Sequence, residues 1–297
     1  MKSKWLWLGI GACALVLLLI TFGILAAVSL LGESRPLSVG SGIGLVEVKG
    51  LIIDPQETVK QLTDFRKDDN IKAVVLRIDS PGGVVGPSQE IQQAVKKLSQ
   101  KKKVVVSMGS VAASGGYYIA APASLIYANP GTITGSIGVL MKFSNIEGLL
   151  GKVGMKSFTL KTGKYKDVGS PVRSMSPEDR AMLQGVIDST HRQFVKAVAE
   201  GRKLPEDDVA AIADGRIFSG EQALGMKLVD RLGTMQDAIE EAGRLAEIKG
   251  EPQVIRPPKK KKLLLDMLVE GSADKLGSLV RPGSGGGLRY QLEGMDD

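Results

Sequence analysis

Two short runs, Lys72–Asp79 (KAVVLRID) and Lys103–Met108 (KVVVSM), constrain the fold of this chain more than any other part of it. Both are rich in β-branched side chains and nearly unbroken in apolar character. A strand with one wet face alternates polar and apolar residues. A run without that alternation is dry on both faces, which requires a covering layer on each side of a sheet. Strands of this kind pair in parallel and need crossover helices. Pro55–Lys67 has helical periodicity, and Ser88–Leu98 reads as an amphipathic helix with Ser88 as its cap. Gly109–Ala113 reads as a turn and Gly115–Ala121 as the start of a helix. Gly44–Ile53 and Leu125–Ala128 are further strands, and Lys156–Thr162 is extended. Ser176–Arg202 is a long helix, with Ser176 as cap, Pro177 at its first position and Asp179 in its first turn. Asp207–Ala213, Ser219–Leu224 and Thr234–Ile248 complete the helices. The expectation is an α/β core with a mostly parallel sheet.

Ahead of this core, no charged side chain occurs between Trp5 and Leu31. That exceeds the roughly 20 residues that span a bilayer. Trp5 and Trp7 suit the interface, and Lys2 and Lys4 keep the N-terminus cytoplasmic. The reading is a single-pass anchor in the inner or plasma membrane, with the remainder periplasmic or extracellular. A cleaved secretory signal is the alternative, given the small residues in Gly23–Ser29. The chain divides into an anchor at 1–32, a Gly-rich tether at 33–42, a main domain at 43–250 and a partly flexible C-terminal extension at 251–297. Arg281–Gly287 (RPGSGGG) is the flexible part of that extension.

The net charge of +7 raises nucleic-acid binding as a possibility. Aromatics are only 4% of the chain, however, and the densest basic cluster, Lys259–Lys262, follows two prolines. It reads as a solvated run able to approach anionic lipid, and no nucleic-acid partner is expected. The single cysteine, Cys13, lies in the apolar run, so no disulfide forms within a chain. With one histidine and no thiolate cluster, neither a metal site nor a cofactor is expected.

That histidine, His191, sits in the middle of the long helix and reads as a surface residue. A nucleophilic enzyme with this inventory therefore needs another base. A lysine serves if burial or its neighbours keep it neutral, and Ser-Lys pairs are a variant of triad logic. The serine belongs on a sharp turn at a helix N-terminus, where backbone N–H groups meet the developing oxyanion. Gly109–Tyr118 (GSVAASGGYY) offers Ser114, followed by two glycines. Asp79–Gly83 (DSPGG) is a second Gly loop at a strand end. Two such loops on adjacent parallel strands converge on one crevice. On these features alone, a peptidase and an acyl-CoA hydratase or isomerase both remain open.

The segments DSPGG (Asp79–Gly83), SVAASGGYYIA (Ser110–Ala120), TGSIGV (Thr134–Val139), GKYKDVGSP (Gly163–Pro171) and ADGRIFSGEQALGMKLVDRLG (Ala213–Gly233) resemble the bacterial signal peptide peptidases, in order and in the short, single-catalytic-domain form. The resemblance spans about Gly42–Ile248. It implies a Clp-protease/crotonase-like fold, ATP-independent hydrolysis by a Ser-Lys dyad and a peptidase domain at 43–250. By motif position it implies Ser114 as nucleophile, Lys166 as general base, Ser136 as the hydroxyl that orients the lysine, and Gly83 and Gly115 as oxyanion donors. Lys164, on the same face as Lys166 of an extended segment, is the rival base, and Lys161 is expected to be solvated. The implied substrates are remnant signal peptides and similar apolar, extended peptides. In the long form, serine and lysine come from different halves of the chain. A single-domain form therefore implies a ring-shaped homo-oligomer in which each lysine serves a neighbouring serine. A sister membrane peptidase with another protein substrate fits the same motifs.

Overall fold

A computed structural model describes residues 15–23, 41–258 and 289–291. The chain forms two units, Met1–Val39 and Gly40–Asp297. In the first, residues 15–23 form a helix, α1, with exposed side chains. Among the described residues no helix is long and apolar enough to cross a membrane. Most of the expected anchor, including Trp5, Trp7 and Cys13, lies outside the described residues, as do Lys259–Lys262 and Arg281–Gly287.

The second unit runs β1 (Gly42–Lys49), α2 (Gln56–Lys67), β2 (Ile71–Ser80), β3 (Gly82–Val84), α3 (Val85–Ser99), β4 (Lys103–Ala113), α4 (Gly115–Ala120), β5 (Leu125–Ala128), β6 (Ile133–Gly135), α5 (Glu147–Lys152), α6 (Pro177–Arg202), α7 (Glu206–Ala210), β7 (Ile217–Ser219), α8 (Gly220–Gly225), β8 (Arg231–Leu232), α9 (Met235–Leu245), β9 (Val254–Ile255) and β10 (Arg289–Gln291). The main sheet has the order β7-β6-β4-β2-β1-β9, with β5 pairing β4 and β8. Its pairs are parallel except β6–β7. β9 lies within the stretch expected as an extension, and it pairs with β1 through Ile43 and Gly44.

The unbroken apolar runs behave as their composition requires. Val74, Leu76, Val104 and Val106 enter one core cluster with Leu62 of α2, Ile91 and Val95 of α3, Tyr117 of α4 and Phe194 of α6. Their neighbours Ala73, Val75 and Val105 enter a second cluster with Ala238, Ile239 and Ala242 of α9. The period of two thus feeds both faces of one sheet. Each fully buried Val, Leu or Ile contributes roughly 1.5–3 kcal/mol.

Two local expectations are corrected. Gly109–Ala113 is not a turn: β4 continues through it, because Ala112 pairs with Ser80 across a register shift and Val111–Ala113 pair with β6. Ser88 is not a cap: α3 starts at Val85, and the Ser88 hydroxyl donates to the Val84 carbonyl at 2.9 Å from inside the first turn. Lys156–Thr162 belongs to neither a helix nor a sheet. The long helix starts as expected, with the Ser176 side chain and Asp179 forming a reciprocal capping box beside Pro177.

Candidate active site

The extra length of β4 carries its C-terminal end to the ends of β2 and β6. Ser114 follows at once, at φ 53° and ψ −117°, and α4 begins at Gly115. A non-glycine residue with positive φ costs on the order of 1–3 kcal/mol, and such strain persists only where surrounding structure enforces it. The enforcement is visible. The Ser114 N–H donates to the Gly135 carbonyl at 2.8 Å, and the Tyr118 N–H donates to the Ser114 carbonyl at 2.8 Å. Every residue of α4 is buried. The Tyr117 hydroxyl donates to the Leu228 carbonyl at 2.8 Å, and burial pushes its pKa up. Tyr118 meets Phe194 of α6 edge-on, with ring centroids 4.9 Å apart.

Ser136 stands beside this turn. Ala113 pairs with Gly135, so Ser114 and Ser136 each leave the end of one of two neighbouring strands. Ser136 also has positive φ, at 51°, and its N–H donates to the Arg216 carbonyl at 2.8 Å. Both serines are buried, and among the described residues neither hydroxyl is engaged in a hydrogen bond.

Gly83 completes the group. It lies in β3, which packs against α4. A Cβ at Gly83 would fall on the Ile52 carbonyl oxygen, so only glycine fits there. The chain itself uses the edge of this strand: β10 runs antiparallel to β3, with Tyr290 opposite Gly83 and Gln291 opposite Gly82. The alternating Leu288-Arg289-Tyr290-Gln291-Leu292 was a signal for this strand that the flexible-extension reading passed over.

The structure therefore brings Ser114, Gly115, Ser136 and Gly83 together, and it does not add Lys166. Lys166 lies in a turn between β6 and α6, with its N–H donating to the Gly163 carbonyl at 3.2 Å. No residue from 138 to 178 is fully buried. Lys166 lines a shallow surface pocket with Thr159, Leu160, Lys161, Thr162 and Asp167, and neither serine borders it. Among the described residues no hydrogen bond joins Lys166 to Ser114 or Ser136. Because the segment turns, the alternating-face kinship of Lys164 and Lys166 does not hold; Lys164 sits over the Tyr165 ring at 5.5 Å. Lys161 is exposed, as expected, and also donates to Asp167 Oδ1 at 2.5 Å and to the Lys164 carbonyl at 2.9 Å. His191 is half-buried, with Nε2 at 2.6 Å from the Ala213 carbonyl oxygen, which joins α6 to the loop that follows α7.

A serine held on a strained strand-to-helix turn, with glycine backbone on two sides, suits nucleophilic attack on an acyl carbonyl. Similarity to known proteins agrees. The model of peptidase family S49 matches residues 96–249, and that of the Clp proteases matches residues 53–128. A putative protease of Synechocystis, slr0021, is 47% identical over 221 residues, covering 73% of this chain and 80% of that one. A putative signal peptide peptidase of Enterococcus faecium is 38% identical over 186 residues, covering 62% and 54%. Protease 4 of Salmonella typhi is 38% identical over 224 residues, covering 72% of this chain and 36% of that longer one. The acyl-CoA alternative is thereby set aside: the chain belongs to peptidase family S49 and is a serine peptidase.

Proposed function

We propose that this peptidase is membrane-anchored and degrades remnant signal peptides, with Ser114 as nucleophile and Lys166 as general base. The observation that carries the reading is Ser114 itself, buried and held at positive φ between β4 and α4. In the first step, neutral Lys166 Nζ takes the Ser114 Oγ proton as Oγ bonds to the peptide carbonyl carbon. The N–H groups of Gly83 and Gly115 receive the oxyanion, and Ser136 orients the amine. The C–N bond breaks as Lys166 returns the proton to the leaving amine. Water, deprotonated by Lys166, then adds to the acyl carbon; the C–Oγ bond breaks and Lys166 returns the proton to Ser114 Oγ.

Attack requires an extended substrate backbone, and the β3 edge that β10 occupies would accept one by strand addition once β10 gives way. The charge-free run from Trp5 to Leu31 supports an anchor that keeps the site near peptides released in the membrane.

The lysine comes from a neighbouring copy. Support lies in the stretch that carries Lys166, where Leu149, Val153 and Met155 are exposed and Phe158 and Leu160 are 88% and 94% exposed. Apolar surface on that scale favours a protein partner. A second copy that docks there and receives Lys166 makes a head-to-tail contact, which closes into a ring.

The test is cleavage of a synthetic signal peptide, with products mapped by mass. Cleavage after apolar residues such as Leu or Ala, abolished in Lys166→Arg because a guanidinium keeps its proton, is the expected result. Retained activity in Lys166→Arg removes the dyad. Cleavage of folded-protein tails in preference to signal peptides points to the sister-peptidase reading.

A further inference from the structure

One guanidinium fastens the loop that bears Lys166. Arg173 donates from Nε to Asp167 Oδ2 and from Nη2 to Asp167 Oδ1, both at 2.9 Å, in the two-pronged geometry that only arginine provides. From Nη1 it donates to Asp179 Oδ2 at 2.6 Å and to the Ser174 carbonyl at 3.0 Å. Asp179 is 3% exposed at its side chain and belongs to the capping box of α6. Arg173 thus ties the residue next to Lys166 to the first turn of a 26-residue helix. Lys161 adds a second tie to the Asp167 carboxylate. Together, first the Arg173 hydrogen bonds and then that of Lys161 hold the Asp167 carboxyl well below the usual carboxylate range.

Little else determines where Lys166 stands. Around it the backbone–backbone bonds are local turn bonds, such as Val168 N–H to the Tyr165 carbonyl at 3.2 Å and Ser170 N–H to the Asp167 carbonyl at 3.1 Å. No apolar core lies under residues 161–166, which are all exposed. A general base must be held close to its productive geometry, and displacement of about 1 Å can cost about 100-fold in rate. Charge matters as well. Asp167 follows Lys166 in the chain and lines the same pocket, and Arg173 and Lys161 offset its charge. The other charged groups of this cluster are Lys164 on the loop and Glu178 and Asp179 on α6.

We propose that Arg173 is a positioning residue for the general base: forked onto Asp167 and anchored on Asp179, it sets where Lys166 stands and offsets the carboxylate beside it. This rests on Lys166 being the base, and the experiment separates the two. The full chain is prepared as Lys166→Ala, Arg173→Ala, Arg173→Lys and Asp167→Asn. kcat, KM, the pH profile of kcat/KM and the thermal midpoint are measured for each.

Arg173→Ala is expected to lower kcat by about tenfold or more with little change in KM, and Arg173→Lys, which keeps the charge but loses the fork, to fall between it and the parent. The rising limb of the pH profile moves to higher pH in Arg173→Ala, where the Asp167 charge is left largely unbalanced, and does not do so in Asp167→Asn, where that charge is gone. Guanidinium added at tens of millimolar restores part of the kcat of Arg173→Ala and none of that of Lys166→Ala. If Arg173→Ala fails to fold, Arg173→Lys and Asp167→Asn still decide: unchanged kcat and pH limb in both overturn the proposal. Full kcat and an unmoved limb in a folded Arg173→Ala, with Lys166→Ala inactive, overturn it too. Activity in Lys166→Ala overturns the underlying assignment of the base.

Discussion

At Ser114 the backbone adopts a conformation that side chains other than glycine's rarely take, and the protein spends an alignment of three strand ends to keep it there. That conformation ends β4 at Ser114 and leaves the next N–H groups in the first turn of α4. A fluorophosphonate probe is therefore expected to label Ser114 and neither Ser110 nor Ser136, as read by mass mapping, and Ser114→Ala is expected to lose turnover; labelling of Ser110 with Ser114→Ala still active contradicts this. Gly83 has a different constraint. Its φ is ordinary, but a Cβ would meet the Ile52 backbone, which no side-chain rotation relieves. Gly83→Ala should cost about 1–3 kcal/mol by overpacking. It should also shift the N–H proposed to receive the oxyanion. Thermal unfolding reads the first effect and probe labelling rates the second.

Among the elements, two short strands bear on access to the site. β3 and β10 pair over three residues each, and the partner of the chain's own segment is the strand that carries Gly83. A proline in β10 removes an N–H and disfavours the ladder. Tyr290→Pro is expected to raise kcat/KM for short peptides; a segment that occupies the edge about 90% of the time costs a competitor about tenfold in apparent affinity. Unchanged kinetics in this variant would mean that the segment does not compete.

The Lys166 loop gives an element-scale prediction for pH. Asp167 titrates below the usual carboxylate range in the folded protein, held there chiefly by Arg173. A depressed carboxylate stabilises the fold fully above its unfolded pKa, about 3.9, and loses that contribution as pH falls through the folded value. The difference in thermal midpoint between the parent and Arg173→Ala should therefore stay constant from pH 8 to pH 5 and narrow only in stronger acid. A difference that fades between pH 8 and 6 would contradict this.

On the scale of the whole molecule, the serine and the lysine lie in different kinds of environment. One is locked in the core of an α/β domain; the other stands on an exposed stretch bearing Phe158 and Leu160. Mixing Ser114→Ala protomers with Lys166→Ala protomers under exchange conditions tests whether sites form between copies. If each site takes its lysine from a fixed neighbour, equal mixing regenerates about a quarter of wild-type sites, since one intact serine must adjoin one intact lysine in the right order. A mixture that stays inactive, although mixed oligomers form, requires the dyad to lie within one chain.

The two dry runs, the Gly loops at their ends and the helices between them were legible in the residues alone, because burial on both faces of a strand and helix capping act over a few neighbours. Lys72–Asp79 and Lys103–Met108 had to be interior strands, and the Ser176–Asp179 cap had to start a helix. Ser114 was a candidate for the same reason, since a small-residue turn after such a strand is a local pattern. Long-range pairing decided what lay beyond. Only partners at Ser80 and Gly135 extend β4 through Gly109–Ala113, and only that extension brings Ser114 beside Ser136. The Arg173 fork joins residues on a turn-rich loop to a helix cap, and β10 reaches β3 across some two hundred residues of chain. Such contacts depend on where the rest of the chain places their partners, and no periodicity at either end carries that information.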